Sequence, residues 1–112
     1  MEYKKLLEKA LIVREKFSQY EIKNNGKEWS KEQILQGFIV DIGDLVKLCM
    51  AKEGYRKVDD VDKKLAHELS DCLWCIIILS YKYNINLEKS FMETMDELNN
   101  NITSCMNKPH NI

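Results

Sequence analysis

The first part of the chain carries apolar residues at the spacing of an amphipathic helix. Intervals of three and four residues separate the members of one stripe, which are Tyr3, Leu6, Ala10, Val13, Phe17 and Tyr20. Because residues at this spacing lie on one face of an α-helix, we predict a helix over about residues 3–23. The sequence Asn24-Asn25-Gly26 follows, and it is typical of a helix C-terminus.

A second helix is predicted over about residues 31–53. Ser30 and Gln33 have the spacing of a capping box, in which both side chains bond to backbone N–H groups that the first turn leaves free. The predicted apolar face of this helix consists of Ile34, Phe38, Ile42, Leu45 and Cys49. Since the connection over residues 54–60 is short, we expect the next helix to fold back antiparallel against this one.

The third helix is predicted over about residues 60–83, and its second half is apolar on every side. Residues 73–79 read Leu-Trp-Cys-Ile-Ile-Ile-Leu. A helix that is apolar all round needs neighbours all round, and a monomer of four helices supplies too few. We therefore expect a subunit interface at this run.

Asn86 is the predicted N-cap of a fourth helix. The apolar stripe of this helix consists of Phe91, Met95, Leu98 and Ile102. The asparagines from Asn99 onward predict fraying into a tail, which we place at residues 105–112. One proline and four glycines leave little to break long helices or to support strands. We predict an all-α fold in which residues 1–112 form a single domain and four helices assemble as an oligomeric bundle.

Composition excludes two classes of partner. Seventeen basic and eighteen acidic residues nearly cancel, whereas a nucleic-acid binder usually carries a basic excess or stripe. The longest apolar stretch, residues 72–79, is far shorter than the roughly 20 residues needed to cross a bilayer. The N-terminus has no apolar signal region. We expect a cytoplasmic protein that binds neither nucleic acid nor membrane.

The cysteines favour buried thiols over a zinc site. Cys72 and Cys75 lie in mid-helix, without a second cysteine pair or a histidine cluster. Of the four cysteines, we expect only Cys105 to be exposed.

Two pairs of acids interrupt the faces of the second and third helices. Asp41 and Asp44 are three residues apart, as are Glu68 and Asp71, and this spacing puts each pair on one side of its helix. At about 1.5 Å per residue, Asp44 and Glu68 both lie some 12–14 Å from the connection between the helices. The same count places Asp41 opposite Asp71, so four carboxylates are expected to converge.

Carboxylates that converge repel one another unless they are protonated or neutralised by a cation. Oxygen ligands alone favour Mg²⁺, Mn²⁺ or Ca²⁺ over zinc. The alternative is that the acids lie on solvated faces, as most acidic residues do. The flanking pairs Ile42-Gly43 and Leu69-Ser70 are apolar or small, which suggests partial burial, so the metal site and the solvated faces both stay open as interpretations.

Three short segments of the sequence, two of which contain these acids, resemble motifs of one protein family. They read Val40-Asp41-Ile42-Gly43-Asp44-Leu45, His67-Glu68-Leu69-Ser70-Asp71-Cys72-Leu73-Trp74 and Tyr83-Asn84-Ile85-Asn86-Leu87-Glu88. The first two resemble the acidic motifs of MazG-like nucleoside-triphosphate pyrophosphohydrolases, and the third resembles the entry to the last helix of that family. The resemblance covers about residues 29–101, and the second motif with its downstream turn is the most specific part.

The resemblance implies a helical dimer or tetramer that uses Mg²⁺, or Mn²⁺, to hydrolyse nucleoside triphosphates to the monophosphate and pyrophosphate, as in the clearance of unwanted nucleotides. It implies four catalytic metal ligands, which are Asp41, Asp44, Glu68 and Asp71. Three features depart from the family pattern. Both acids of the first motif are aspartates where glutamate is usual, and Val40 occupies a position that is often acidic. Asparagines occupy positions 99–101, where basic residues are common.

Four further residues are candidates for substrate binding. Lys47 and Lys64 each lie one turn from an acid of a motif; they could bind phosphate oxygens or form ion pairs with those acids. Trp29 precedes the second helix and could stack on a base or simply pack. Trp74 could border the nucleotide or belong to the core.

Two other functions remain open at this stage. The chain could be a helical assembly module that kept the fold and lost catalysis, with the aspartates of the first motif as the sign of decay. It could instead act on phosphoribosyl-ATP, as related bundles do.

Overall fold

A computed structural model describes residues 2–109 of the chain. It contains four α-helices, which are α1 (Tyr3–Asn25), α2 (Lys31–Lys52), α3 (Val61–Lys82) and α4 (Leu87–Met106). Within residues 2–109 there is no strand, so the all-α prediction is confirmed. None of these helices is long and apolar enough to span a membrane. Residues 110–112 of the predicted tail lie outside the described residues.

The helix ends follow the local sequence signals. The predicted capping box is present, because Ser30 Oγ accepts the Gln33 N–H at 3.2 Å and Gln33 Oε1 accepts the Ser30 N–H at 2.9 Å. Asn86 Oδ1 caps α4 by accepting the Lys89 N–H at 3.1 Å. After α1, Gly26 takes the left-handed φ of 82° that glycine tolerates best, and its N–H donates to the Ile22 carbonyl.

α2 and α3 pack against each other more extensively than any other pair of helices. Lys52 in the last turn of α2 forms an ion pair of 2.6 Å with Asp62 in the first turn of α3. At the other end, Lys31 of α2 lies 4.6 Å from the ring centre of Tyr83, which follows α3. These contacts bring the middle of α2 level with the middle of α3, where the acids of both motifs lie.

The hydrophobic core is small and lies where α1 meets the start of α2 and the end of α3. Its buried members are Ala10, Ile34, Ile77 and Ile78. Cys75, Ile77 and Ile78 belong to the apolar run for which we predicted a subunit interface. That run is therefore partly core, whereas Leu73 and Ile76 on its other side stay 48% and 40% exposed.

The buried face of α1 differs from the predicted stripe. Of that stripe, Val13, Phe17 and Tyr20 are 44%, 50% and 67% exposed. The buried face lies about one residue further along the helix and includes Ala10, Arg14, Ser18 and Glu21. Hydrophobic periodicity failed here because two charged side chains, Arg14 and Glu21, turn inward and form an ion pair with each other.

The predicted face of α2 is only partly buried. Ile34 is in the core and Phe38 and Leu45 are half-buried, but Ile42 is 43% exposed and Cys49 is exposed, against our prediction for that thiol. A second apolar stripe on α2 is also uncovered by the chain, and it consists of Leu35, Ile39, Val46 and Met50.

α4 has no buried residue. The residues of its predicted apolar stripe all lie within the helix, but the rest of the chain does not cover them. Exposure is between 39% and 57% for Phe91, Met95, Leu98 and Ile102. The helix continues through the asparagines to Met106, so the prediction that it frays from Asn99 was wrong. In a helix asparagine costs at most about 0.7 kcal/mol relative to alanine, so three asparagines need not end one.

The chain is extended. Its radius of gyration is 18.6 Å and its principal dimensions are 64 × 40 × 28 Å, whereas a compact domain of about 100 residues has a radius of about 13 Å. It exposes 9299 Å², compared with about 6,400 Å² expected for a compact monomer of this mass.

Candidate metal centre

Three carboxylates from α2 and α3 meet between the two helices. Asp41, Asp44 and Glu68 each offer an oxygen, and these oxygens lie within 4.8 Å of one another. Asp41 and Asp44 reach the same point because they are one turn apart on α2, and Glu68 meets them at the matching level of α3. We call these three residues the acidic cluster.

Glu68 is the least satisfied member of the acidic cluster. Its Oε1 atom is buried and has no hydrogen-bond partner within residues 2–109. Burial raises the pKa of the Glu68 carboxyl, and the charges on Asp41, Asp71 and Asp44 raise it further. A buried acceptor without a donor costs folding free energy. A proton or a cation bound to this oxygen would remove that cost.

Within residues 2–109, no basic side chain forms an ion pair with a residue of the acidic cluster. The ion pairs in this part of the chain are Arg14–Glu21, Lys52–Asp62 and Lys89–Glu93, and His67 contacts Asp71; none of these contacts involves a cluster residue. The donor atoms are all carboxylate oxygens, which suit a hard divalent cation. The residues present therefore fit a hard divalent cation such as Mg²⁺, Mn²⁺ or Ca²⁺.

Asp71, the fourth predicted ligand, lies at the edge of the acidic cluster. Its Oδ2 atom is 3.3 Å from His67 Nε2, one turn earlier on α3, and the three converging oxygens do not include it. Its charge nevertheless contributes to the raised pKa of Glu68. The structure thus brings three of the four predicted ligands together and pairs the fourth with a histidine.

A buried thiol contacts the acidic cluster. Cys75 Sγ donates to Asp41 Oδ2 at 3.5 Å. Burial, followed by this hydrogen bond, raises the pKa of the Cys75 thiol to about 12, and burial also raises that of Cys72. Both thiols are therefore protonated at neutral pH, and Cys75 acts as a donor that orients Asp41 rather than as a thiolate ligand.

An aromatic cavity of about 340 Å³ adjoins the acidic cluster at Asp41. Its lining includes both tryptophans that the sequence singled out, Trp29 and Trp74. The Trp74 indole N–H donates to the Ala10 carbonyl at 3.1 Å, which fixes that ring. The Trp29 ring lies 3.2 Å from where a Cβ on Gly37 would be, so a side chain at Gly37 would push the ring slightly away from α2.

Arg14 lines the same aromatic cavity, and sequence reasoning missed it. It is 8% exposed, its Nη2 atom donates to Glu21 Oε1, and its buried Nε has no partner within residues 2–109. Glu21 also accepts the Trp29 backbone N–H at 2.8 Å, so the ion pair holds the segment that carries Trp29. The available signal was the spacing of Arg14, Ser18 and Glu21, which places an arginine and a glutamate on one helix face.

A basic cavity of about 360 Å³ adjoins the acidic cluster on the other side, at Asp44 and Glu68. The basic side chains that line it are Lys47, Arg56, Lys64 and His67. The two lysines were predicted from the sequence. Arg56 was not, because it lies in the connection between α2 and α3, where helical spacing gives no guide to position.

Comparisons of the chain with protein-family models, with curated protein sequences and with solved structures find no match in any of the three. The interpretation of the site therefore depends on the residues that the fold brings together.

Proposed function

We propose that this protein is a Mg²⁺-dependent nucleoside-triphosphate pyrophosphohydrolase of the MazG-like type. The observation that carries the proposal is the acidic cluster, in which three carboxylates meet within 4.8 Å and one buried oxygen of Glu68 lacks a partner. Most surface acids are solvated and separate. This group is shared between two helices, Asp41 and Glu68 in it are half-buried, and no basic side chain within residues 2–109 forms an ion pair with it.

Asp41, Asp44 and Glu68 would hold the divalent cation on an antiparallel hairpin of α2 and α3. Asp71 would join them as a ligand if its side chain turned away from His67. When bound, the cation lowers the pKa of a water molecule and offsets the charge of the triphosphate. One carboxylate of the set would accept the proton of the water that attacks the α-phosphorus.

The aromatic cavity supports the choice of a nucleotide as substrate. It opens beside Asp41, and Trp29 and Trp74 give it two flat apolar surfaces on which a base can stack. The close approach of Trp29 to Gly37 and the hydrogen bond of the Trp74 indole keep these rings in place without substrate.

The proposal includes a homo-oligomer, at least a dimer. The chain exposes 9299 Å², about 2,900 Å² more than a compact monomer of its mass. A stable interface buries about 800 Å² on each partner, so the excess surface is ample for one. Apolar stripes on α1, α2 and α4 that the chain leaves uncovered would supply this interface with a second copy.

The test is a screen of all eight common ribonucleoside and deoxyribonucleoside triphosphates with Mg²⁺ or Mn²⁺. We expect at least one of them to give the monophosphate and pyrophosphate in equal amounts, and Asp44→Asn to abolish the reaction. Release of orthophosphate in place of pyrophosphate would mean that the reaction class is wrong.

A helical assembly module without activity is the second candidate. The observation in its favour is the extent of uncovered apolar surface, which assembly alone would explain. Mg²⁺-dependent thermal stabilisation separates the two candidates, because an inert bundle has no reason to respond to the cation.

A further inference from the structure

Three different segments of the chain contribute basic side chains to the lining of the basic cavity. Lys47 comes from α2, Arg56 from the connection and Lys64 from α3. Side chains from three different segments therefore face one cavity that adjoins the acidic cluster. The fold, rather than a single run of charged residues, brings these cations together.

None of these three cations forms an ion pair within residues 2–109. Lys47 follows Asp44 by three residues and Lys64 precedes Glu68 by four, spacings at which helical ion pairs are common. The side chains leave these partners unpaired, although Lys52 and Asp62 do pair nearby. Because no acid within residues 2–109 pairs with them, these three side chains are free to turn their charged ends towards a ligand in the cavity.

The two cavities differ in chemistry and lie on opposite sides of the acidic cluster. The aromatic cavity meets the cluster at Asp41, and the basic cavity meets it at Asp44 and Glu68. A nucleotide laid across the cluster would have its base at one end and its terminal phosphates at the other. The scissile bond would then lie between them, over the carboxylates.

We propose that the basic cavity is a diphosphate site, in which Lys47, Arg56 and Lys64 bind the β- and γ-phosphates of the substrate and then the pyrophosphate product. This inference rests on the proposed function and adds the direction in which the substrate lies. Arginine binds two phosphate oxygens at once through its planar fork, and lysine acts as a point charge. Arg56 is therefore the residue to which the structure newly assigns a role in substrate binding.

The site accounts for the fate of the leaving group. The water oxygen forms a bond to the α-phosphorus, and the bond from that phosphorus to the bridging oxygen breaks. The electron pair leaves with the bridging oxygen, which becomes part of pyrophosphate, and the proton passes through a cluster carboxylate to solvent. The three cations stabilise the negative charge that collects on the departing diphosphate.

Calorimetric titration of the full chain with inorganic pyrophosphate in Mg²⁺ buffer tests this site without turnover. We expect Arg56→Gln and Lys64→Gln each to weaken pyrophosphate binding by about tenfold or more, as loss of a charge-assisted hydrogen bond does. The matched controls are Lys57→Gln and Lys63→Gln, which alter sequence neighbours that do not line the cavity. We expect the controls to bind within about twofold of the unmodified protein.

Two results would overturn the inference. One is that the unmodified protein fails to bind pyrophosphate at millimolar concentration with Mg²⁺. The other is that the control substitutions weaken binding as much as Arg56→Gln and Lys64→Gln do. Circular dichroism of each variant verifies that the helices are retained.

The titration also separates this inference from the proposed function. Selective loss of pyrophosphate binding in a protein that hydrolyses no nucleoside triphosphate would support the diphosphate site and refute the hydrolase. Hydrolysis to pyrophosphate with unchanged binding in Arg56→Gln and Lys64→Gln would support the hydrolase and refute the site.

Discussion

Helices α2 and α3 are similar in length to α4, but they differ from it in how far the rest of the chain covers them. α2 and α3 pack along each other, share the core residues Ile34 and Ile78, and carry the acidic cluster. α4 is a regular amphipathic helix of 20 residues with no buried side chain. Its apolar face, centred on Leu98, contacts almost nothing within the described chain.

This difference shows where each part obtains its stability. An isolated helix of this length is marginal in water, and tertiary packing normally supplies what propensity does not. α2 and α3 supply that packing to each other. α4 requires a partner that the single chain does not provide, and we infer that the partner is a second copy. We therefore propose that the packed pair carries the chemistry and that α4 carries the assembly.

The largest expected effect is on turnover. Asp44→Asn keeps the size of the side chain but removes a charge that a hard cation prefers, and we expect turnover to fall by more than about 100-fold. Asp96→Asn makes the same change on α4 and should leave turnover within about twofold. Steady-state kinetics of both variants measure the contrast, and equal losses would contradict the division between the two regions.

Asp71→Asn ranks below Asp44→Asn in the same assay. Because the Asp71 carboxylate lies against His67 and outside the three converging oxygens, we expect a loss of about 10- to 100-fold. A loss larger than that of Asp44→Asn would show that the Asp71 carboxylate coordinates the cation directly when the cation binds.

The core of the packed pair should dominate stability. Ile78 is 1% exposed, and we expect Ile78→Ala to lower the free energy of unfolding by about 2–5 kcal/mol. Ile102→Ala on α4 removes the same atoms from a residue that is 57% exposed in the single chain. Chemical denaturation gives both values. A cost for Ile102→Ala well above about 0.5 kcal/mol would mean that a second copy covers it.

The face of α4 should control assembly. A charge at Leu98 would lie in the proposed interface, and we expect Leu98→Glu to weaken the dimer by about 2 kcal/mol or more, roughly 30-fold in dissociation constant. Asn100→Glu introduces the same charge on the opposite side of the helix and serves as the control. Sedimentation at micromolar concentration measures the oligomer, and a folded monomer of the unmodified protein would refute the interface.

The smallest expected effect is the pH dependence of the metal-free protein. The pKa of Glu68 is raised above 4.5 in the folded state, so its contribution to stability is complete below that value and is lost as pH rises through the folded-state pKa. Metal-free Glu68→Gln does not lose this contribution. We expect its melting temperature to rise relative to the unmodified protein between pH 4.5 and neutrality, and a constant difference would contradict the burial of this carboxyl.

The sequence predicted the helices and the acidic cluster because both depend on local spacing. Caps at Ser30 and Asn86 are formed by residues three apart, and Asp44 meets Glu68 because both lie equally far from one short connection. The buried face of α1 could not be found in this way, since Arg14 and Glu21 become compatible with burial only when they pair. Arg56 was not predicted because it lies in the connection between α2 and α3. A connection lacks helical periodicity, so its sequence does not show which way a side chain points.

The most direct test of the account is the thermal response of the full chain to Mg²⁺, compared between the unmodified protein and Glu68→Gln at neutral pH. A cation that binds only the folded state stabilises it by about 2.7 kcal/mol at 100 times its dissociation constant. We therefore predict that Mg²⁺ raises the melting temperature of the unmodified protein. Glu68→Gln should melt at the same or a higher temperature without Mg²⁺, because repulsion in the acidic cluster is relieved, and should gain little when Mg²⁺ is added. An unmodified protein that ignores Mg²⁺, or a variant that responds to it equally, would contradict the assignment of the acidic cluster as a metal centre.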